Sequence, residues 1–300
     1  MNPIVCALLF FGLLSLPVNA QDLTPRAYWP APKGTIVGTV GYSYSSGDTT
    51  PDPSLPITGV DSDISSFVLG YRQTLDLWGR TANLIVEVPY ANGTTSAASL
   101  EGDELRRSYR GMGDMAATLS VNFLGAPTMD KEAFAQLRQN PVTILAGSLK
   151  VIAPTGDYES DRAINIGANR WAVKAELGAI FPLHPHWLLE LDIGRIHFWD
   201  NDNYLGYQRE QKPINTIQAH LIHRLRAGFW MSLDVNYYEG GRSTLAGHQV
   251  DDARRDSKAG FTVVYPFAGK NAIKVGYSRG SLNDSDESFD YYLIAYQRLF

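Results

Sequence analysis

The feature of this sequence that most constrains its fold is a two-residue alternation of apolar and polar side chains. In residues 82–90, for example, Leu84, Val86 and Val88 share one face, while Glu87 falls on the other. Successive side chains of a strand point to opposite sides of a sheet, so such segments indicate β-strands. Twelve segments follow this pattern: 36–44, 67–77, 82–90, 115–123, 145–151, 171–181, 187–193, 217–225, 229–237, 259–267, 273–277 and 292–300. The alternation therefore predicts an all-β protein.

Helices contribute little to this prediction. Residues 129–139 are the best helical candidate, with room for about two turns, and they lie in a connection between strands. The mean hydropathy is −0.17, and the apolar run nearest to spanning length lies at the N-terminus. These properties argue against a helical membrane protein.

The connections between the segments alternate in length. Short links follow the second, sixth, eighth and tenth segments, at 78–80, 182–185, 226–228 and 268–270. Long polar links follow odd-numbered segments, at 45–62, 92–111, 155–169 and 239–256, whereas the link 125–141 is long where a short one is expected. Outer-membrane barrels have short periplasmic turns and long external loops. The sequence thus predicts a single transmembrane antiparallel β-barrel of about 12 strands with periplasmic termini.

A soluble β-sandwich or a lipocalin-like barrel is the alternative fold, since its strands also alternate. Such a protein buries its apolar face and has loops of no particular order. Here the non-apolar face carries many ionisable groups, and large aromatic side chains collect near strand ends: Trp78, Phe181, Trp187, Phe229 and Tyr265. Aromatic residues at strand ends are typical of the interfacial girdle of a membrane barrel, which we therefore favour.

The N-terminus resembles a secretory signal. Residues 4–16 form a short apolar core, followed by Pro17 and a small-residue site, Val18-Asn19-Ala20. No Lys or Arg lies near Met1, and an anchor helix is the alternative, but about 13 apolar residues are too few to span a bilayer. We predict a cleaved signal peptide at 1–20, which removes Cys6, the one cysteine, and a barrel at 21–300. The predicted location is the outer membrane of a Gram-negative bacterium.

The C-terminal strand resembles the assembly signal of bacterial outer-membrane proteins. Phe300 ends the chain and follows the alternating apolar residues Tyr292, Ile294 and Tyr296. The resemblance implies that the barrel-assembly machinery is a partner through this strand. Arg298 departs from the pattern, because it places a charge on the lipid face, although its long stem could reach the interface.

The predicted interior is narrow and carries charges of both signs. Twelve tilted strands give a backbone cylinder of about 24 Å, which leaves about 10 Å or less between side chains, enough for a small solute. The candidate lumen-lining residues are Arg72, Glu87, Lys150, Lys174, Glu176, Glu190, Asp192, His220, Arg224, Asp234, Lys258 and Lys274. We expect Arg72 to lie opposite Glu87 and Asp234 opposite His220.

The inward cations and anions, with Asp76 included, are equal in number. A channel for acidic sugars should instead show a basic track. The balance favours neutral or zwitterionic solutes. The same pairs could equally fill the interior and close it, leaving a barrel that does not conduct.

Catalysis is not favoured. Some outer-membrane barrels hydrolyse lipids with Ser and His at the lipid face, but parity places His223 toward lipid and Ser232 toward the lumen. His184 and His186 supply only two metal ligands. We expect no enzyme activity, no cofactor and no metal. The net charge of −5 without a basic cluster makes nucleic acid an unlikely partner.

Several short motifs in a fixed order make the resemblance to one family specific. They are Val88-Pro89-Tyr90, Gly111-Met112-Gly113-Asp114, Pro154-Thr155-Gly156-Asp157-Tyr158, Asn165-Ile166-Gly167-Ala168-Asn169-Arg170-Trp171, Tyr237-Tyr238-Glu239-Gly240-Gly241 and Ala295-Tyr296-Gln297. Over residues 34–300 the chain resembles the outer-membrane transporters labelled "MetA-pathway of phenol degradation".

That resemblance implies an outer-membrane channel for passive uptake of small, often aromatic or hydrophobic compounds. The partners expected for such a channel are a small-molecule solute, outer-membrane lipid and lipopolysaccharide. The resemblance supplies no catalytic residues. A structural or adhesive barrel with a filled, non-conducting lumen stays open as the alternative.

Overall fold

The computed structural model of the chain describes residues 24–47, 61–98, 104–162, 164–250, 252–280 and 288–300. The predicted signal peptide and Cys6 lie outside these residues, so cleavage after Ala20 stays a prediction. No helix within the described ranges is long and apolar enough to cross a membrane.

The described residues are mostly strands. In chain order they form β1 (Ile36–Gly47), β2 (Asp61–Leu77), β3 (Arg80–Ala98), β4 (Glu104–Met112), β5 (Ala116–Leu124), α1 (Lys131–Gln139), β6 (Ile144–Ile152), β7 (Ala172–His184), β8 (Trp187–Phe198), β9 (Asn201–Tyr204), β10 (Tyr207–Gln211), β11 (Ile214–Arg226), β12 (Phe229–Gly240), β13 (Ser243–Leu245), β14 (His248–Gln249), β15 (Arg254–Phe267), β16 (Asn271–Arg279) and β17 (Phe289–Leu299).

The long strands close into an antiparallel barrel. Each pairs with its neighbour along the chain, and β1 pairs with β17 from Val37 opposite Leu299 to Gly47 opposite Phe289. Both β4 and β5 pair with β3, so they act as one barrel strand that is interrupted at residues 113–115. The barrel therefore has 12 strands, which confirms the predicted number and order, and its sheet closes on itself through the β1–β17 and β2–β3 pairings.

The two faces of the barrel wall differ as a lipid environment requires. Outward side chains such as Leu69, Ile193 and Leu233 are 59%, 57% and 63% exposed. Inward positions of the same sheet include buried polar side chains such as Asn122 and Gln218. A wall that is apolar outside and polar inside is the arrangement of transmembrane barrels.

Two-residue turns set the register at what we call the short-turn rim, the end of the barrel that carries the short links. Between β2 and β3, Trp78 and Gly79 have φ of 52° and 75°, and Leu77 pairs with Arg80. Both turn residues are left-handed, as a two-residue hairpin of type I′ requires.

This register corrects one expectation and confirms another. Arg72 lies opposite Ile85, not opposite Glu87. The predicted pairing needed a turn at Gly79-Arg80, whereas the turn residues are Trp78 and Gly79, and this displacement by one residue shifts the pairing by two. Between β11 and β12, His220 lies opposite Asp234 as predicted.

The long link at 125–141 contains the predicted helix. Asp130 caps α1 by accepting a hydrogen bond from the Ala133 amide at 2.8 Å. Phe134 and Leu137 of this helix pack against apolar side chains inside the barrel. The link is long because α1 covers the short-turn rim.

Two long loops fold together at the opposite end, the long-loop rim. Strands β9, β10, β13 and β14 form a small separate sheet, in which β10 and β13 join the β8–β11 loop to the β12–β15 loop. Arg209 is buried there and donates to Ser243 Oγ at 3.0 Å. These loops cover one side of the rim.

Candidate functional site

A stretch that precedes the first strand lies inside the barrel. We call residues 24–35 the inner segment. Its end is fixed at the short-turn rim, where the Lys33 amide donates to Met129 O and the Gly34 amide to Thr74 O, each at 2.9 Å. Farther inside, Tyr28 and Trp29 are only 1% and 4% exposed. Sequence reasoning missed this segment, although a large aromatic pair outside any strand was a usable signal.

Apolar packing holds the inner segment in the short-turn half of the barrel. Tyr28 and Trp29 belong to one cluster with inward side chains of β6, β7, β8, β11, β12 and β15: Ile144, Ala146, Ile180, Leu188, Ile222, Trp230 and Val264. The Arg26 guanidinium carbon lies 5.3 Å from the Trp29 ring centre and 5.0 Å from that of Trp230. This half of the interior is packed like a protein core.

Two predicted lumen residues bind the inner segment through hydrogen bonds. Glu190 is fully buried and accepts from the backbone amides of Arg26 and Tyr28, at 2.6 and 3.3 Å. The Tyr28 hydroxyl donates to Glu176 at 2.8 Å and lies 3.0 Å from Ser148 Oγ. These carboxylates therefore receive N–H and O–H donors in place of water.

Gly178 makes room for this arrangement. It is an inward position of β7, and a Cβ there would lie 2.1 Å from the Tyr28 ring and 2.5 Å from Asp192 Oδ1. Any larger residue at this position would collide with Tyr28. Gly178 was not among the predicted site residues, because a glycine in a strand gives no sign of which long-range neighbour it faces.

Further predicted residues form a buried polar cluster on the same wall. His220 Nδ1 lies 2.7 Å from Asp234 Oδ1, and His220 Nε2 lies 3.7 Å from Asp192 Oδ2. Ser232 and Thr262 both donate to Asp234 at 3.0 Å. Next to this cluster, Lys174 pairs with Glu176 at 2.6 Å. Strands β7, β8, β11 and β12 therefore form a filled wall.

The geometry of this cluster bears on the hydrolase alternative. A serine nucleophile needs a hydrogen bond to its histidine base. Ser232 instead bonds Asp234, and the His223 ring lies 4.3 Å from the Trp187 ring on the other face of the sheet. Among the described residues no group of three His, Cys, Asp or Glu side chains is placed to hold a metal.

The remaining predicted residues occupy separate places. Lys258 is a buried residue of β15, and its Nζ lies 5.8 Å from the Tyr238 ring centre. Lys150 pairs with Glu87 at 3.2 Å. Arg224 lies near the short-turn rim, where it donates to Arg138 O at 2.7 Å and stacks 5.1 Å from the Trp29 ring centre. The predicted residues thus do not all share one site.

The wall opposite the filled wall is open. A cavity of about 300 Å³ lies along β16, β17, β1, β2 and β3, which we call the open wall. Small inward residues leave this space: Thr39, Gly41, Gly70 and Ala295. Of the predicted lumen residues, the cavity brings together Arg72, Glu87 and Lys274.

A larger depression, of about 590 Å³, lies on the outer surface of the barrel. Its lining includes Leu119, Phe123, Leu149, Leu177 and Ile193, which are outward residues of the lipid face. We assign this depression to lipid contact and take the interior cavity as the candidate site.

The sequence motifs meet at the long-loop rim. Asp114 interrupts the β4–β5 strand and accepts from the amides of Gly156 and Ala168, each at 2.8 Å. Burial raises the pKa of the Asp114 carboxyl, while these N–H donors act in the opposite direction. The Asp157 amide donates to Met112 O at 2.8 Å, and the Met112 amide donates to Asp157 Oδ2 at 2.9 Å. These contacts fold the 153–171 loop back onto the barrel.

A second buried group holds the same rim. The Arg170 guanidinium donates to Gln211 and lies 4.6 Å from the Phe198 ring centre. Burial, together with repulsion from Arg209, lowers the pKa of Arg170 to about 9. The guanidinium stays largely charged at neutral pH and joins the 153–171 loop to β10.

Comparison with solved structures supports this fold. The COG4313 outer membrane channel from Pseudomonas putida F1 is 22% identical, with 93% of this chain and 100% of that chain covered and a TM-score of 0.76. The beta domain of the Bordetella autotransporter BrkA is 10% identical over 89% of this chain and 100% of that one, with a TM-score of 0.50. At these identities the likeness concerns the fold alone.

Sequence comparison gives the family. No curated protein sequence is significantly similar to this chain. The profile of one family, described as "Putative MetA-pathway of phenol degradation", matches residues 44–289, which is most of the chain. The chain belongs to this family, as the order of its motifs predicted.

Proposed function

We propose that this protein is an outer-membrane channel for the passive uptake of a small solute with an aromatic or hydrophobic body. The observation that carries the proposal is the cavity of about 300 Å³ on the open wall, inside a barrel whose other wall is filled. The solute passes between the inner segment and strands β16 to β3.

The chemistry of the cavity supports this solute class. Inward residues Val37, Val68, Ile85 and Leu293 give it an apolar lining. Sites for small molecules are mostly apolar with a few placed polar groups, and their volumes begin near 300 Å³. A bulky solute, such as a folded partner or a long oligosaccharide, does not fit such a space.

The membrane partners follow from the outer surface and the C-terminal strand. We propose that the apolar outward face contacts outer-membrane lipid and that the long-loop rim meets lipopolysaccharide. The β17 strand completes the barrel by pairing with β1, and we propose that the barrel-assembly machinery binds it before closure.

Electrical recording tests the channel. Purified protein in planar bilayers should give discrete conductance steps, and liposomes that contain it should swell in small neutral solutes. Gly41→Phe should abolish both signals, because a Cβ at Gly41 has no neighbour closer than 3.6 Å and a phenyl ring there would occupy the cavity. Val40→Phe is the matched control. Val40 is adjacent to Gly41 in β1 but points toward lipid and is 53% exposed, so a phenyl ring there stays outside the cavity.

A structural or adhesive barrel with a non-conducting lumen is the second candidate. The packed inner segment and the buried polar cluster on the filled wall favour it. Wild-type protein that folds and inserts, yet gives neither conductance nor swelling, would favour this candidate and overturn the channel.

A further inference from the structure

We infer that the cavity on the open wall binds small organic carboxylates, with Arg72 and Lys274 receiving the carboxylate group. This inference rests on the proposed channel and names the chemistry of its solute. The inference depends on the positions of the interior charges. The equal numbers of inward cations and anions in the sequence describe only the total charge of the interior.

The charges around the cavity are not balanced. Its lining contains two basic side chains, Arg72 and Lys274, and one acidic side chain, Glu87. Glu87 is already engaged, since its Oε2 lies 3.2 Å from Lys150 Nζ. Neither cation of the lining therefore forms an ion pair with Glu87 alone.

The surroundings of each cation support this. Arg72 donates to two neutral acceptors, Asn83 Oδ1 at 3.3 Å and Trp29 O at 3.2 Å. Within the part of the chain that the structure describes, neither Arg72 nor Lys274 has a carboxylate within 4.0 Å. A cation held away from bulk water without a counter-ion is unfavourable. An anion in the cavity would supply that counter-ion.

A phenol hydroxyl completes the polar side of the cavity. Tyr291 and Ser43 also line it, and their hydroxyl groups lie beside each other. A carboxylate has two oxygens and several lone pairs, so it can accept from a guanidinium, an ammonium and a hydroxyl at once.

The rest of the lining fits an apolar body. Val37, Val68, Ile85 and Leu293 would contact a ring or a short alkyl chain. A solute with one anionic end and one apolar end therefore satisfies both parts of the cavity. Inorganic anions would satisfy only the cations, and neutral aromatic compounds only the apolar lining.

The acidic residues that balance the total charge lie elsewhere. Glu190 binds amides of the inner segment, and Glu176 binds Lys174 and Tyr28. Asp234 is engaged by His220. These carboxylates already have partners on the filled wall. Asp234 and Glu190 attract Lys274 and Arg72, respectively, only from beyond 4.0 Å, so among the described residues neither cation has a carboxylate in direct contact with it.

Binding to the folded barrel tests the inference without relying on conduction. Isothermal titration calorimetry in detergent compares benzoate, benzyl alcohol and benzylammonium, which share a ring and differ in charge. Benzoate should bind at least about tenfold more tightly than the other two, as expected for charge-assisted hydrogen bonds. Lys274→Gln and Arg72→Gln should each remove most of this preference.

A control and a second readout separate the possible failures. Lys270→Gln removes the same charge from an exposed turn and should leave the benzoate preference intact. In bilayers with a KCl gradient, the wild-type reversal potential should indicate anion preference, and Lys274→Glu should shift it toward cations. Equal binding of the three probes, or an unchanged preference in Lys274→Gln, overturns the carboxylate site even if the channel conducts. Benzoate binding without conductance would instead overturn the channel and keep the site.

Discussion

At the scale of single residues, the interior depends on a few positions that admit or hold the inner segment. Glu190 and Glu176 accept its donors, and Gly178 leaves the space that the Tyr28 ring fills. These residues lie on two adjacent strands, β7 and β8. The docking of Tyr28 therefore depends on close steric fit as much as on hydrogen bonds.

Gly178→Ala tests this fit. The added methyl group would lie 2.1 Å from the Tyr28 ring, so the ring has to move and the inner segment loosens. Overpacking of this kind costs about 1–3 kcal/mol. We expect a lower temperature for the heat-induced gel shift of the folded barrel and a larger conductance. Ala175→Val is the control, because it adds bulk to the lipid face of the same strand and should change neither the gel-shift temperature nor the conductance. A Gly178→Ala protein with the wild-type gel-shift temperature and conductance would contradict the role of Gly178.

At the scale of elements, segments outside the barrel strands shape the two ends of the interior. The inner segment and α1 fill the short-turn rim. The 153–171 loop and the small sheet of β9, β10, β13 and β14 lie at the long-loop rim. The barrel strands close without either group, because their pairing is continuous from β17 through β1 to β2.

Deletion of residues 24–32 tests the inner segment as a constriction. The deletion removes Tyr28 and Trp29 from the lumen but keeps the Gly34 contact with Thr74 at the rim. We expect a barrel that still assembles and a single-channel conductance several-fold above wild type, measured in planar bilayers. Equal conductance would mean that the inner segment does not limit the path.

Asp114→Ala tests the anchor of the 153–171 loop. The change leaves the amides of Gly156 and Ala168 without their acceptor, at a cost of about 1–3 kcal/mol for each amide that stays buried. We expect faster proteolysis of this loop on intact cells, with the strands still protected. Asp161→Ala, an exposed position of the same loop, is the control and should be cleaved at the wild-type rate.

At the scale of the whole molecule, closure of the barrel pairs β1 with β17, the two strands that would otherwise be edges in the membrane. Unpaired backbone groups in lipid each cost several kcal/mol, so the pairing of β17 with β1 is a condition for insertion. Phe300 lies beside this seam: its amide donates to Ile36 O at 3.0 Å, and its ring is exposed, close to Arg298. This exposed aromatic ring at the seam is the feature on which the proposed role of Phe300 in assembly depends.

Deletion of Phe300 tests its role as an assembly signal. We expect less heat-modifiable barrel in the outer membrane and more precursor in the periplasm, measured by cell fractionation and unheated gels. Molecules that do insert should conduct as wild type does, because the exposed ring lies beside Gly38 on the outward face of β1, on the other side of the wall from the cavity. Wild-type levels of the deletion variant in the outer membrane would contradict the prediction.

The sequence by itself determined the main strands of the barrel, their faces and their order. It did not predict β4, β9, β10, β13 or β14, which lie between the predicted segments. Alternation is a local property: because side chains of a strand point to opposite faces, Leu84 and Val86 are assigned to lipid and Glu87 to the interior from neighbouring residues alone. Chain order then gives the barrel, since each strand pairs with the next. The helix at 131–139 was equally accessible, because its cap at Asp130 is local.

Only the tertiary structure decided what the interior contains. The inner segment has no periodicity, and its place depends on contacts such as Tyr28 with Glu176, which are far apart in sequence. The partner of Glu87 follows from no local pattern in the sequence: the turn at Trp78-Gly79 moves Glu87 away from Arg72, and β5, which pairs with both β3 and β6, brings it near Lys150. A sum of charges is readable from the sequence, but their separation into a filled wall and an open wall is a long-range property that arises when the sheet closes.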